Sequence, residues 1–206
     1  MDFDRERKPA RPAAPFGEMM ETLLADLVGG DETRAETASA ALSAMGETII
    51  PFVRDLLRSP DADSRWWAVR TLASLPNLDP GLLLPSLADP APEVRQAAAL
   101  GLASHPRDDL ARPLVQALSD EDGLTAELAA NALVAIGPSA VESLLEVLGA
   151  ANQSARIHAM RALAEIADPR AIRPMIEAMS EDSAMLHYWA ERGLDRLGVS
   201  MVYVKP

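Results

Sequence analysis

The three histidines are the first residues to consider for chemistry, because imidazole binds metal ions and transfers protons near neutral pH. His105, His158 and His187 lie in three different segments of the chain, and at the helical positions assigned below they do not share a face. The chain has no cysteine, which excludes disulfides and thiolate ligands. We therefore expect core or surface histidines and no metal site.

Motifs for nucleophilic catalysis and for nucleotide binding are absent from the sequence. It contains no glycine-rich phosphate loop and no nucleophile elbow. The acidic residues Asp61, Asp63 and Asp120–Asp122 lie in turns, where such residues are typical of helix N-caps. Neither acidic group continues as a calcium-binding loop. The sequence predicts a non-catalytic protein without a cofactor.

Tryptophan, tyrosine, methionine and arginine are the remaining candidates, because these types are common at protein-binding hot spots. Trp66 and Trp67 are adjacent in the sequence. Neighbours on a helix point about 100° apart, so the two rings cannot both face one core. Which ring is structural depends on the elements that position them.

A repeat of 30 or 31 residues organises nearly the whole chain. In each repeat a leucine, taken as position 0, follows an alanine at position −4 and a small or short residue at position −1. The six leucines are Leu42, Leu72, Leu102, Leu133, Leu163 and Leu194. Each repeat has the pattern of a helix A, a short turn and a helix B that ends near glycine or proline. One pair cannot bury its apolar stripe alone, but six stacked pairs can do so continuously.

This repeat predicts an all-α fold: a right-handed α/α superhelical solenoid with the B helices along its concave side. The segment Asp89–Leu102 closely resembles the short HEAT-like repeat of the phycobilisome-lyase (PBS lyase) family. The resemblance covers about residues 18–198 and implies six HEAT-like helix pairs of about 30 residues each. It also implies that the arginines at position −7 are structural and bind the turn between helices. These arginines are Arg65, Arg95 and Arg156.

Helical spacing predicts that positions −8, −5, −4, −1, 0 and +3 of helix B face the core. Positions −7, −6, −3 and −2 then lie outside it. Trp67, at −5, is predicted to pack, and Trp66, at −6, is predicted to project into a concave groove. The predicted partner-binding residues of the groove are Trp66, Arg70, Leu100, Asn131, Ile157, Met160, Arg161, Tyr188 and Arg192. Two alternatives stay open: Trp66 packs on the next repeat or on the N-terminal tail, and Tyr188 is covered by the C-terminal tail.

The two ends of the chain differ from the repeats. Residues 1–16 contain three prolines and are predicted to be a disordered tail, before a solenoid over residues 17–198. Residues 199–206 are apolar and β-prone, and we expect them to cap the last helix pair. The N-terminus lacks the apolar run of a signal peptide. No stretch approaches 18 uninterrupted apolar residues, so we expect a cytoplasmic protein of bacterial type without membrane insertion.

The net charge of −12 argues against a general nucleic-acid binder, and the only lysines are Lys8 and Lys205. Our first hypothesis is a non-catalytic scaffold or adaptor that holds a helical or acidic segment of another protein in the groove. In this hypothesis the apolar groove residues are anchors, and the arginines at position −2 pair with acidic groups. The alternative, implied by the family resemblance, is one subunit of a bilin or tetrapyrrole lyase, or a pigment-handling factor.

Overall fold

The computed structural model describes residues 14–150 and 152–199, and within them the chain forms eleven α-helices, six short 3-10 helices and no strand. The α-helices are α1 (Ala14–Leu27), α2 (Glu32–Ala44), α3 (Ile50–Leu56), α4 (Ala62–Ala73), α5 (Pro92–Ser104), α6 (Ala111–Ala117), α7 (Gly123–Ile136), α8 (Val141–Ala150), α9 (Gln153–Ile166), α10 (Ile172–Ala178) and α11 (Ala184–Arg196). The 3-10 helices are Gly46–Ile49, Pro80–Leu82, Leu84–Ala88, Asp108–Leu110, Gly137–Ala140 and Pro169–Ala171.

These elements form the six predicted helix pairs. The B helices are α2, α4, α5, α7, α9 and α11. From the second pair onward, each A segment begins with a 3-10 helix, and in the third pair it consists only of Pro80–Leu82 and Leu84–Ala88. Pro80 and Pro85 lie in the first turns of these two 3-10 helices. Helix α1 begins at Ala14, three residues before the predicted start of the solenoid at residue 17.

The repeat positions that define the sequence pattern form the continuous core. All six anchor leucines and all six alanines at position −4 are buried. Position −1 is small because the layers approach closely there: a Cβ added to Gly101 would lie 2.8 Å from Ala73 Cβ and from Leu83 Cδ1. Such close packing explains why small residues recur at this position. The chain is therefore one stack in which each repeat shares its core with its neighbours.

The turns before the B helices place an acceptor at each N-terminus with one exception. The side chains of Asp31, Asp61, Asp122, Asn152 and Ser183 accept hydrogen bonds from backbone N–H groups in the first turn. Helix α5 instead follows Ala91 and begins with proline. The prediction that the acidic turn residues act as N-caps is confirmed for Asp61 and Asp122.

The arginines at position −7 join consecutive turns, as the family resemblance implies. Arg65 donates from Nε and Nη2 to the carboxylate of Asp89 at 2.7 and 2.8 Å, and from Nη1 to a carbonyl of its own turn. Arg95 pairs in the same way with Asp120, at 2.9 and 2.8 Å. Arg156 completes the series through Glu181 at 2.6 Å. The first and fourth repeats have alanine at this position and lack this type of link.

The B helices form the inner layer of the stack. Neighbouring B helices contact each other more extensively than neighbouring A segments do throughout the described residues. The B helices therefore form one continuous layer, to which we assign the concave surface as the repeat pattern predicts.

One segment has the length and composition of a membrane-crossing helix, which the prediction of no membrane insertion did not anticipate. This segment is Gly123–Gly149. It is interrupted at Gly137, where φ is 76°, and its two halves belong to different repeats. Helix α7 packs between α5 and α9, whereas α8 packs on α9 and α6. The apolar composition therefore reflects two consecutive core helices in the stack.

The predicted tails lie mostly outside the described residues. The disorder predicted for the N-terminal tail falls largely on residues 1–13, and the predicted C-terminal cap falls largely on residues 200–206, so both remain predictions. Val199 is described: its N–H donates to the carbonyl of Leu194 at 2.9 Å, and its side chain packs against the core.

Candidate functional site

The concave surface consists mainly of helix B positions −6 and −2, which we call the concave stripe. The stripe comprises Glu36, Trp66, Gln96, Glu127, Ile157 and Tyr188 at position −6, and Ala40, Arg70, Leu100, Asn131, Arg161 and Arg192 at position −2. Every one of these residues is exposed or half-buried. The prediction that positions −6 and −2 lie outside the core is therefore confirmed.

Position −3 was predicted to join this surface, and for most repeats that prediction is wrong. Met160 is only 1% exposed, and Val69, Ala99 and Ala130 are also buried. The B helices contact one another along the stack, and Ser39 at this position bonds to Thr71 of the next B helix. A helical wheel drawn for one pair does not include such contacts between repeats. Met160 is therefore a core residue and cannot act as a groove anchor without leaving the core. Only Glu191, in the last repeat, is exposed at this position.

A cleft of about 530 Å³ lies on the concave side between α4 and α5, and we call it the α4–α5 cleft. Its volume lies within the range typical of small-molecule sites. Its lining is predominantly apolar and consists of Trp66, Arg70, Ala73, Ser74, Glu93, Gln96, Ala97, Leu100, Gly101, Ser104 and Leu128. Leu100 is 58% exposed, the largest exposed fraction among the big apolar side chains of the described residues. The cleft thus brings together three predicted groove residues, Trp66, Arg70 and Leu100.

The two adjacent tryptophans form a cluster with an arginine at the edge of this cleft. Trp66 and Trp67 make a T-shaped pair with ring centroids 4.8 Å apart and an interplanar angle of 85°. The Arg70 guanidinium carbon lies 5.2 Å from each ring centroid, within the range of a cation–π contact. Both tryptophans are half-buried and pack against the core, but only Trp66 lines the α4–α5 cleft. Trp66 therefore packs against the core and also lines the groove.

A salt bridge within the chain neutralises the charge of Arg70. Its Nη1 lies 2.6 Å from Oε1 of Glu36, which occupies position −6 of the preceding repeat. Both side chains are partly exposed. The predicted pairing of Arg70 with an acidic group of a partner is already satisfied within the chain.

Arg161 was predicted to be a groove arginine, but it is a link between repeats. Its side chain is only 14% exposed. Nη2 donates to the carbonyl of Glu127 at 3.0 Å and to Oδ1 of Asn131 at 2.8 Å, and Nη1 donates to Glu165 at 3.1 Å. Asn131 is committed to the same contact. The donors of Arg161 are therefore used within the chain and not, as predicted, for acidic groups of a partner.

The last repeat presents a second aromatic cluster. Tyr188 is exposed and makes a T-shaped pair with Trp189, with ring centroids 5.0 Å apart. Arg192 donates from Nη1 to the Tyr188 hydroxyl at 3.2 Å, and its guanidinium carbon lies 5.9 Å from the Trp189 ring centroid. Ile157, in the preceding repeat, is half-buried and packs against the core. Tyr188 and Arg192 thus lie on the concave stripe as predicted, four repeats from Trp66.

The three histidines occupy separate structural environments. His105 Nε2 lies 2.8 Å from the carbonyl oxygen of Ala73, in the preceding repeat. Burial lowers the pKa of His158, which is half-buried on α9. His187 takes position −7 of the last repeat, where other repeats carry the linking arginine.

Several contacts of the B helices were not predicted from the sequence. Gln96 donates to Oδ2 of Asp122 at 2.8 Å, and Ser39 and Thr71 form a buried hydroxyl pair at 2.9 Å. The hydrogen bonds from Gln96 and Thr125 lower the pKa of Asp122. The Glu36–Arg70 pair had a signal in the sequence, because position −6 of one repeat adjoins position −2 of the next in the stack.

Family models match two parts of the chain. Residues 80–149 match the family described as HEAT repeats, and residues 155–181 match the PBS lyase HEAT-like repeat. In these segments the chain resembles PBS-lyase-type HEAT repeats. The resemblance agrees with the helix pairs, the repeat length and the linking arginines described above.

The curated relatives are subunits of phycocyanobilin lyases. The chain is 36% identical over 115 residues to the phycocyanobilin lyase subunit beta of Nostoc sp., and 39% identical over 72 residues to the subunit of the same name from Pseudanabaena tenuis. The first alignment covers 54% of this chain and 56% of the relative, and the second covers 35% and 26%. The chain therefore spans about half the length of the Nostoc relative and about a quarter of the length of the Pseudanabaena tenuis relative.

Among solved structures, the chain is similar to the complex of CpcE and CpcF of phycocyanin lyase from Nostoc sp. The TM-score is 0.56 with 24% sequence identity, over 71% of this chain and 98% of that chain. At this level of identity the likeness concerns the fold alone.

Proposed function

We propose that this chain is a HEAT-repeat subunit of a bilin lyase or a related pigment-handling complex, and that it holds an open-chain tetrapyrrole in the α4–α5 cleft. The observation that carries the proposal is the 36% identity over 115 residues to a phycocyanobilin lyase subunit beta. This identity favours the lyase-type alternative over a general scaffold. As one subunit, the chain would bind and orient the pigment.

The chemistry of the α4–α5 cleft supports this proposal. A tetrapyrrole combines flat apolar rings with carboxylate side chains, so its site needs apolar walls and polar groups at the margin. Trp66 and Leu100 provide apolar surface on opposite helices, and Leu128 adds to it from α7. Gln96 and Arg70 are polar members of the lining, and they also bond within the chain to Asp122 and Glu36. The volume of about 530 Å³ suits a ligand of drug-like size or somewhat larger.

A protein partner is the second part of the proposal. The curated relatives are named as subunits, which supports association with another protein. The partner-binding part of our first hypothesis is kept in this form, as the association of this chain with another protein. The concave stripe offers little free positive charge, so an acidic segment is no longer the favoured partner. A cytoplasmic location remains a prediction.

The proposal is tested by titrating the protein with phycocyanobilin and recording the absorption of the bound pigment. Leu100→Ala removes an exposed apolar side chain from the cleft wall, and Ile176→Ala is the matched control in the outer layer. Loss of about 1 kcal/mol of apolar contact corresponds to a roughly fivefold weaker Kd for Leu100→Ala. Ile176→Ala should bind as the wild type does. A wild-type protein that does not change the pigment spectrum, or equal effects of both variants, would contradict the proposed site.

A further inference from the structure

The second and sixth repeats carry the same constellation of side chains. A tryptophan or tyrosine at −6, tryptophan at −5, alanine at −4 and arginine at −2 occur in the segments 66–70 and 188–192. No other repeat has tryptophan, tyrosine or phenylalanine at −6 or −5. The geometry is also shared: both aromatic pairs are T-shaped, and both arginines lie over the tryptophan at −5.

The repeats that precede the two clusters differ at position −6. In the second repeat, Glu36 occupies position −6 of the neighbouring helix and its carboxylate binds Arg70 at 2.6 Å. In the sixth repeat the equivalent position holds Ile157, which has no charge. Among the described residues no carboxylate lies within salt-bridge distance of Arg192, whose polar contact is the Tyr188 hydroxyl.

We propose that Tyr188, Trp189 and Arg192 form a binding site for a small carboxylate with a flat apolar body. The Glu36–Arg70 pair shows, within the same molecule, how a carboxylate binds the guanidinium of this constellation while the guanidinium stays over the rings. At Arg192 a ligand carboxylate takes the place that Glu36 takes at Arg70. The exposed face of Tyr188 and the side chain of Ile157 then receive the apolar body of the ligand.

This site is separate from the α4–α5 cleft. The two clusters are four repeats apart, which corresponds to about 40 Å at the usual spacing of packed helices. The inference goes beyond the proposed function and does not depend on it, because it rests on the equivalence of the two repeats. A different probe allows either proposal to fail alone.

The probe is pyrenebutyrate, a fluorescent planar carboxylate, compared with its methyl ester, which has no charge. The quantity measured is the ratio of the two dissociation constants, because apolar binding elsewhere on the protein affects both probes equally. We expect the wild-type protein to prefer the acid about five- to tenfold, as for an exposed charge pair assisted by a cation–π contact. The preference should decrease with increasing salt.

Two variants assign the preference to Arg192. In Arg192→Gln the acid and the ester should bind with equal affinity. The matched control is Arg196→Gln, an exposed arginine one turn further along α11 and without a described aromatic contact, which should keep the wild-type preference. Because Arg192 is exposed, the substitution leaves the core intact. An acid preference that survives in Arg192→Gln would overturn the proposal.

A reciprocal exchange tests the comparison between repeats. Ile157→Glu places a carboxylate at the position equivalent to Glu36, so it should occupy Arg192 and abolish the preference for the acid. Glu36→Gln should free Arg70 and raise the number of acid-selective sites from one to two. If Ile157→Glu leaves the preference unchanged while the protein stays folded, the two clusters are not equivalent and the proposal is wrong.

Discussion

The link between Arg95 and Asp120 provides the most specific stability prediction. The Arg95 side chain is 8% exposed and that of Asp120 is 11% exposed. Arg95 donates two bonds to the carboxylate and further bonds to the carbonyls of Asp89 and Pro90. Arg95→Met keeps most of the apolar stem and removes every one of these donors.

The magnitude follows from what the substitution leaves behind. Removing one partner of a buried ion pair leaves the other charge buried and unpaired, which typically costs about 3–5 kcal/mol. Asp120 lies in a turn, and water reaches its carboxylate more easily than in a deep core. We therefore expect Arg95→Met to lower the free energy of unfolding by about 2–4 kcal/mol.

The assay is urea unfolding followed by the helical circular dichroism signal. Arg173→Ala is the control, because the Arg173–Glu177 pair is a surface salt bridge whose arginine side chain is 89% exposed. It should change the free energy of unfolding by less than about 0.5 kcal/mol. In a double-mutant cycle with Asp120→Asn, the two substitutions should be strongly non-additive. Equal effects of Arg95→Met and Arg173→Ala would refute the structural role of the linking arginines.

Three further predictions concern packing and acid stability. Gly101→Ala should destabilise the protein by about 1–3 kcal/mol because its Cβ meets close neighbours, whereas Gly123→Ala, with open space around it, should be neutral or slightly stabilising in the same urea assay. Met160→Ala should lower the free energy of unfolding by about 2–5 kcal/mol because the side chain is buried, and calorimetry should show a lower Tm. Unchanged stability would contradict the assignment of Met160 to the core. The hydrogen bond from Arg170 lowers the pKa of Asp168 from 3.8 to about 2. The ionised Asp168 carboxylate therefore stabilises the protein above about pH 4, and this stabilisation is lost as the pH falls through about 2. Asp168→Asn should flatten the acid side of the stability–pH curve, and an unchanged curve would contradict the assignment.

The architecture could be predicted because its determinants are local and repeated. Each anchor leucine and each alanine at −4 is buried as the 30-residue pattern requires. The core of one repeat is the same as that of the next, so six weak signals reinforce one another. The structural role of Arg65 and Arg95 could also be predicted, because the family that the repeat resembles has a structural arginine at this repeat position.

The groove was harder to predict because its residues contact other repeats. Met160 was assigned to the surface because the helical spacing of a single pair separates only a core face from an outer face. In the stack, a neighbouring B helix covers part of the outer face. Arg161 binds a backbone carbonyl of the preceding repeat, and such an acceptor has no signature in the sequence. By contrast, Leu100 and Tyr188 are exposed, as the helical spacing of positions −2 and −6 predicts.

The central claim is that the α4–α5 cleft holds the pigment, and methyl NMR of the protein during addition of phycocyanobilin tests it most directly. Ring currents of the bound tetrapyrrole should shift the methyl signals of Leu100 and Leu128, which line the cleft. The methyl signals of Ile176, exposed on the outer layer, should not move. Shifts at Ile176 without shifts at Leu100 would place the pigment outside the cleft and contradict the account.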